Sequence, residues 1–180
     1  MRIKNLTGLW PKRKGILLQL SAVSAACVIA GVAMATPTIG AWYNVILSTG
    51  TAKSVDSHSH VALANSAEGF SVELEAEGAS NFITQELKLS PGGTTGWHTH
   101  PGLIMLTLAA DSGPIDWYDG NCNKRVYKAG DSWTEGTKLH DVVNSSSQDS
   151  HFLATYVVPA GVNKRTDQAA PVCAAALGLH

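Results

Sequence analysis

Pro91-Gly92-Gly93-Thr94-Thr95-Gly96-Trp97-His98-Thr99-His100-Pro101-Gly102 is the stretch on which the reading of this chain turns. Glycines and prolines bracket a His-x-His pair. On a β-strand, side chains two residues apart point to the same face, so His98 and His100 would offer both imidazoles to a single cation. The glycines ahead of the pair allow a tight turn and close backbone approach. Downstream, Gly130 precedes His140-Asp141-Val142-Val143-Asn144, and His140 supplies a third imidazole from a separate segment. Three neutral imidazoles suit zinc, copper, nickel, manganese or iron, and ligand softness does not choose among them. The expectation is one divalent transition metal held by His98, His100 and His140, with its positive charge intact.

The flanking segments read as short strands. Val72, Leu74 and Ala76 alternate with Glu73, Glu75 and Glu77, so the glutamates form a solvated strand face. Residues 81–89 place Ile83, Gln85, Leu87 and Leu89 on one side, which makes Gln85 either a hydrogen-bonded core group or part of a pocket wall. Residues 103–109 are an apolar strand, and 114–118 pairs with 125–128 around the turn signal Asp119-Gly120-Asn121. Further strands fall at 132–134, 139–143 and 152–158. With turn signals at close spacing and no convincing helix in this body, the pattern predicts an all-β barrel or sandwich. Residues 36–70 read as linker and loop, with Val45-Ile46-Leu47 as a first short strand, and 71–180 as the barrel. The tail over 169–179 is either coil or a short helix.

The histidine and glycine pattern resembles the two short motifs of the cupin superfamily. Gly92, His98 and His100 match the first motif, G-x5-H-x-H-x3,4-E, but Ile104 and Met105 stand where its Glu is usual. Gly130, His140 and Asn144 match the second, with one residue fewer between Gly130 and His140 and with Glu135 and Thr137 where Pro and Gly are usual. The resemblance spans roughly Asn81 to Gly161. It is nearest to the small exported single-domain cupins of actinobacteria, in which a Gly-Trp-His-x-His-Pro-Gly run and two flanking cysteines recur. It implies a double-stranded β-helix, or jelly-roll, barrel with a metal at its centre, and admits dioxygenases, decarboxylases, lyases and isomerases.

Charge is unevenly placed along the 180 residues. Five of the 13 basic residues and none of the 14 acidic ones lie in residues 1–35, which leaves 8 basic against 14 acidic residues beyond. Such a body lacks the clustered cations that nucleic acid requires, and Lys124-Arg125 and Lys164-Arg165 read as solvated loop charges. A basic start, an apolar run over 16–35 and Ala33-Met34-Ala35 read as a secretory signal peptide, with an uncleaved membrane anchor as the alternative. Either way the domain lies outside the cytoplasm, and only the N-terminal segment touches a membrane. Beyond that segment Cys122 and Cys173 remain, an even pair that favours a disulfide in an oxidising compartment and would pin the tail to the barrel.

Among candidate pocket residues are Gln85, Glu135, Met105 and Tyr156. Glu135, in the loop leading to His140, is the better replacement carboxylate, because Glu86 falls on the face opposite Gln85. Asp141, Tyr118, Tyr156 and Glu135 are the titratable groups nearest the motifs. Trp97 faces away from His98 by alternation, as packing or as a pocket rim, and Asn144 bonds backbone near its turn. His58 and His60 lie in a Ser-rich stretch and read as loop residues or a weak surface metal trap. His151 and His180 read as exposed. Two function classes follow: a metal-dependent enzyme acting on a small, anionic molecule, or an extracytoplasmic module that binds metal or a small ligand. The partner expected is a small molecule, with a homodimer admitted.

Overall fold

A computed structural model of the protein describes residues 34–62 and 69–179, so the basic, apolar N-terminal segment and His180 lie outside the described residues. The strands are β1 (Ile39–Ala52), β2 (Val55–Val61), β3 (Phe70–Ala76), β4 (Ser80–Thr94), β5 (His98–Thr99), β6 (Leu103–Leu108), β7 (Ile115–Asp119), β8 (Lys124–Tyr127), β9 (Ser132–Glu135), β10 (His140–Val143), β11 (Ser150–Pro159) and β12 (Thr166–Asp167), followed by one helical turn, α1 (Val172–Ala176). Ten of the strands form one antiparallel sheet in the order β12-β5-β10-β4-β11-β6-β9, with β1 also on β4 and the β7–β8 hairpin on β10. This is the expected all-β architecture, a nearly closed, barrel-like sheet.

Alternation builds its interior. Ile83, Gln85, Leu87 and Leu89 of β4 are buried while their neighbours are half-exposed, as period two requires. Opposite them, β11 buries Phe152, Ala154 and Tyr156, and β6 buries Ile104, Leu106 and Leu108. With Ile115, Trp133, Val142 and Val158 these side chains form one continuous cluster. Each large apolar side chain removed from water contributes roughly 1.5–3 kcal/mol.

Two departures from the sequence reading concern the N-terminal third. Residues 36–44, expected as linker, enter a long strand: β1 runs antiparallel along β4 from Ile39↔Thr94 to Ala52↔Ser80. Register shifts at three points along β1 break its alternation, which hides it from a period-two reading. The His58–His60 stretch, expected as loop, is strand β2, paired with β3 from Val55↔Ala76 to Val61↔Phe70. His58 there contacts Asp56 and Glu73 at 2.8 and 3.8 Å on an exposed face.

The β7–β8 turn is built as expected. Asp119 accepts the backbone N–H groups of Asn121 and Asn123, both at 2.9 Å, and Cys122 adopts φ 60° in between. Cys122 is bonded to Cys173 of α1 with Cα atoms 6.2 Å apart, so the disulfide ties the tail to the β7–β8 hairpin.

Candidate metal centre

His98 sits on β5, which has two residues and is paired on both sides. His98 lies across from His140 on β10 and from Asp167 on β12. Directly opposed residues of antiparallel strands share a face, so the His98 and His140 rings meet with centroids 4.3 Å apart. His100, two residues on, joins the same face at 4.8 Å from His98 and 5.1 Å from His140. All three are buried. Gly96 makes the approach possible: its φ is +71°, and a Cβ there would lie 2.5 Å from the Thr36 carbonyl oxygen.

The fourth member is Glu135, at the end of β9. Its Oε2 lies 3.1 Å from His140 Nε2 and 3.5 Å from His100 Nε2. Ligand atoms of His98, His100, Glu135 and His140 all lie within 4.8 Å of one another. The expected set of three histidines is therefore joined by a carboxylate, and the site carries less positive charge than imidazoles alone would leave. Glu135 is the cross-strand partner of Ile104 in the β6–β9 pairing. The carboxylate thus comes from the strand beside the position where the cupin motif has its Glu. Ile104 itself is fully buried, whereas Met105 is 41% exposed. Met105 was expected at the pocket, and the pleat of β6 turns it outward instead.

Hydrogen bonds fix the ring orientations. Nδ1 of His98, His100 and His140 lies 2.7, 2.7 and 2.8 Å from the carbonyl oxygens of Gly96, Lys164 and Lys138. A carbonyl only accepts, so each Nδ1 carries a proton, and in the neutral imidazole each Nε2 then presents a lone pair. His140 Nε2 is buried without a hydrogen-bond donor. On the other side, Trp117 and Trp133 both donate their indole N–H to Glu135 Oε1, at 3.0 and 2.9 Å. Glu135 is left with Oε2 aimed at the histidines. Neutral acceptors 3.1 and 3.5 Å from a carboxylate oxygen repel unless a cation lies among them. A proton satisfies one such pair, while a metal satisfies all four donors. Donor separations of roughly 3.3 Å are also what tetrahedral bonds of about 2.0–2.1 Å produce.

The electrostatics favour a neutral His98 and an ionised Glu135. Burial, reinforced by His140 and Arg165, lowers the His98 pKa to about 2. Burial pushes the Glu135 carboxyl up, but His100 and His140 outweigh it and hold the group below the usual carboxylate range. Burial likewise lowers His140, and Glu135 more than reverses it. That upward direction describes a lone proton in the place between His140 and Glu135, the same place a metal would take.

Around this cluster the other expected residues fall as follows. Gln85 is buried and turned inward, donating to Asn44 Oδ1 and accepting from Lys164 Nζ, as a hydrogen-bonded core group does. Tyr156 is buried with its ring 5.5 Å from that of His100. Its hydroxyl is held above the ordinary phenol pKa by burial and then by Glu135. Asp141 is buried and accepts from Thr94 and Thr95 through Oδ1, at 2.6 and 3.1 Å. Tyr118 is half-buried opposite Asp141 on β7. Glu86 faces outward and contacts His151 at 2.7 Å, so His151 is half-buried rather than exposed. Trp97 is fully buried, and Asn144 donates to Leu89 and Gln148 carbonyls, a structural role as expected. His58 and His60, for which a weak surface metal trap is the alternative to loop residues, belong to no group of three or more potential ligands among the described residues.

Sequence reading overlooked Trp117, Trp133 and Lys164. Trp133 and Glu135 are two apart on one strand, so period two alone could have paired them. Lys164, read as a solvated charge, is half-buried and lies with its Nζ 4.4 Å from the centre of the Tyr156 ring. Arg165 donates to Thr95 O at 2.6 Å and pairs with Asp167. A pocket of about 290 Å³ opens onto Glu135 and His140 between Trp117 and the loop Gly136-Thr137-Lys138.

No family model and no curated protein matches this sequence. Among solved structures, the backbone is similar to that of an uncharacterized conserved protein with a double-stranded β-helix domain from Klebsiella pneumoniae, at 21% identity over 63% of this chain and 84% of that one, with a TM-score of 0.42. It is also similar to a cupin domain from Bordetella pertussis, at 19% identity over 58% and 92% with a TM-score of 0.38. A cupin-like protein from Thermotoga maritima aligns at 16% identity over 49% and 65%, with a TM-score of 0.42. The chemistry of the centre rests on its own geometry.

Proposed function

We propose that this chain is an exported, single-domain metal protein of the cupin superfamily, of the small actinobacterial kind, in which His98, His100, His140 and Glu135 hold one divalent transition ion and a small anionic molecule binds beside it. The observation that carries this reading is the convergence of four buried ligand atoms: each Nδ1 faces a carbonyl, which turns the other ring nitrogen inward, and Glu135 Oε2 faces the ring nitrogens of His100 and His140. A bound ion supplies a Lewis-acid centre able to take an oxygen donor. The histidines and Glu135 hold it, the two indoles orient Glu135, and Ile104 keeps that side of the cluster dry. Glu135 offsets part of the ion's charge, and support for an anionic ligand comes from Lys164, whose main-chain carbonyl already faces His100. Export is supported by the basic, apolar N-terminus and the Cys122–Cys173 bridge.

Within this proposal the centre is catalytic, and a second reading, a non-catalytic metal or small-ligand binder, has one observation in its favour. The nearby titratable groups are already engaged: Asp141 is bound by two threonines, and Tyr156 holds its proton more tightly than an ordinary phenol. Oxygen uptake and carbon dioxide release by metal-loaded protein, with a panel of small organic acids, phenols and thiols, separate the two.

Metal analysis of protein purified without chelators tests the centre itself. One ion per chain is expected, lost in H98A/H100A and kept in H58A/H60A. Unchanged metal content in H98A/H100A overturns the assignment. Intact mass of the exported protein is expected to lack residues 1–35 and to correspond to an oxidised cysteine pair; a mass that retains them supports the membrane anchor.

A further inference from the structure

We propose that Lys164 is the anion-recognising residue of this site: its ammonium, resting on the Tyr156 ring and the Gln85 amide, takes a carboxylate of a ligand whose other end is a donor for the metal. This rests on the metal-centre reading above and goes beyond it by naming the group that selects the ligand.

Among the described residues no carboxylate lies within salt-bridge distance of Lys164, although Lys88, Lys124 and Arg165 each pair with one, Glu86, Asp116 and Asp167. Its partners are neutral. The ammonium donates to Gln85 Oε1, and Gln85 in turn donates to Asn44 Oδ1, so the amide is oriented with its carbonyl toward Lys164. The Tyr156 ring supplies its π-face, with Nζ 4.4 Å from the centroid. A half-buried cation with only neutral partners gives up hydration that nothing of opposite charge repays, and an incoming carboxylate restores the balance. Burial, and Arg165 next along the chain, disfavour the charged form for the same reason. Arg165 cannot serve instead, because Asp167 and Thr95 already occupy its guanidinium.

Position gives the ligand its shape. The ammonium and His100 both lie against the Tyr156 ring, with Nζ 4.4 Å and the imidazole centroid 5.5 Å from its centre. A molecule reaching both must therefore carry two separated polar ends, as a short dicarboxylate or a hydroxy acid does. The main chain of Lys164 is already committed, since its carbonyl accepts from His100 Nδ1 at 2.7 Å. Changing the side chain leaves that bond in place, so ligand recognition can be removed without removing the metal.

The experiment is calorimetric titration of metal-loaded protein with acetate, malonate, succinate and glutarate, alongside K164Q and K164R, with metal content and melting temperature recorded for each. At least one dicarboxylate is expected to bind the parent more tightly than acetate. Its affinity should fall tenfold or more in K164Q and stay within about threefold of the parent in K164R, at unchanged metal content. Equal binding by K164Q and parent overturns the Lys164 assignment and leaves the metal centre standing. A loss in K164Q that K164R does not restore, or that accompanies loss of metal, also overturns it, because the side chain would then be structural. If the metal-loaded parent binds none of the four, the anionic-ligand reading falls, and this inference with it.

Discussion

Two indole N–H groups hold one oxygen of Glu135, so only its other oxygen is free to face the histidines, and the carboxylate has a single useful orientation. E135A is expected to raise the metal dissociation constant by about tenfold to a hundredfold, as loss of a ligand or of its support does. Because Ile104 opposes Glu135 across β6 and β9, the double variant I104E/E135A should recover part of that loss, whereas I104E alone should lower the melting temperature by crowding two buried carboxylates. Competition with a chromophoric chelator, together with thermal melts, measures both. If I104E/E135A binds metal no more tightly than E135A, the two positions are not interchangeable. At this scale the histidines were legible because a spacing of two fixes a common face whatever the rest of the chain does. Ile104 and Met105 were not separable by counting, since the Pro101-Gly102 turn resets the pleat before β6. Lys164 carried no signal at all; only the fold turns it inward.

At the scale of elements, β4, β6 and β11 were readable because an uninterrupted alternation has one solution. β1 has exposed apolar residues on both faces and three register shifts, so its pairing is visible only once β4 is beside it. β2 consists of serines and histidines between short apolar ends, and only β3 makes it a strand. The smallest element matters most to the site. β5 is held in place by β10, by β12 and by the close pass of the chain at Gly96, whose amide donates to Thr94 Oγ1 at 2.9 Å. G96A combines a positive φ with a Cβ pressed against the Thr36 carbonyl. It should lower the unfolding free energy by about 1–3 kcal/mol in urea titrations. Metal affinity should fall with it, because His98 and His100 follow directly. A variant with parental stability and affinity would show that β5 is positioned by its neighbours alone.

For the whole molecule, the paired cysteines and the barrel class were both accessible from composition and spacing, while the way the tail returns to the centre was not. Cys122 and Cys173 are separated by 51 residues, and closing such a loop restricts the unfolded chain by roughly 4 kcal/mol in the chain-entropy description. The variant C122S/C173S is expected to lose stability of that order or less in denaturant, while keeping its metal below the melting transition, because β12 and the Lys164 carbonyl hold the centre independently of the bridge. Metal loss in the folded variant would mean that the bridge, rather than the strand pairing, keeps the tail in place.

That return of the tail sets an order of assembly. His100 is oriented by a carbonyl 64 residues farther along, and His98 is flanked by Asp167. All four donors are made by residue 140, but His100 therefore gains its orienting carbonyl, and β5 its second neighbour, only after the chain through β12 has been synthesised. Donor chemistry of this kind does not discriminate sharply among first-row metals. The ion acquired is then decided by the supply where the completed chain folds, so a protein translocated unfolded and one refolded in a cytoplasmic metal pool should emerge from the same sequence carrying different metals.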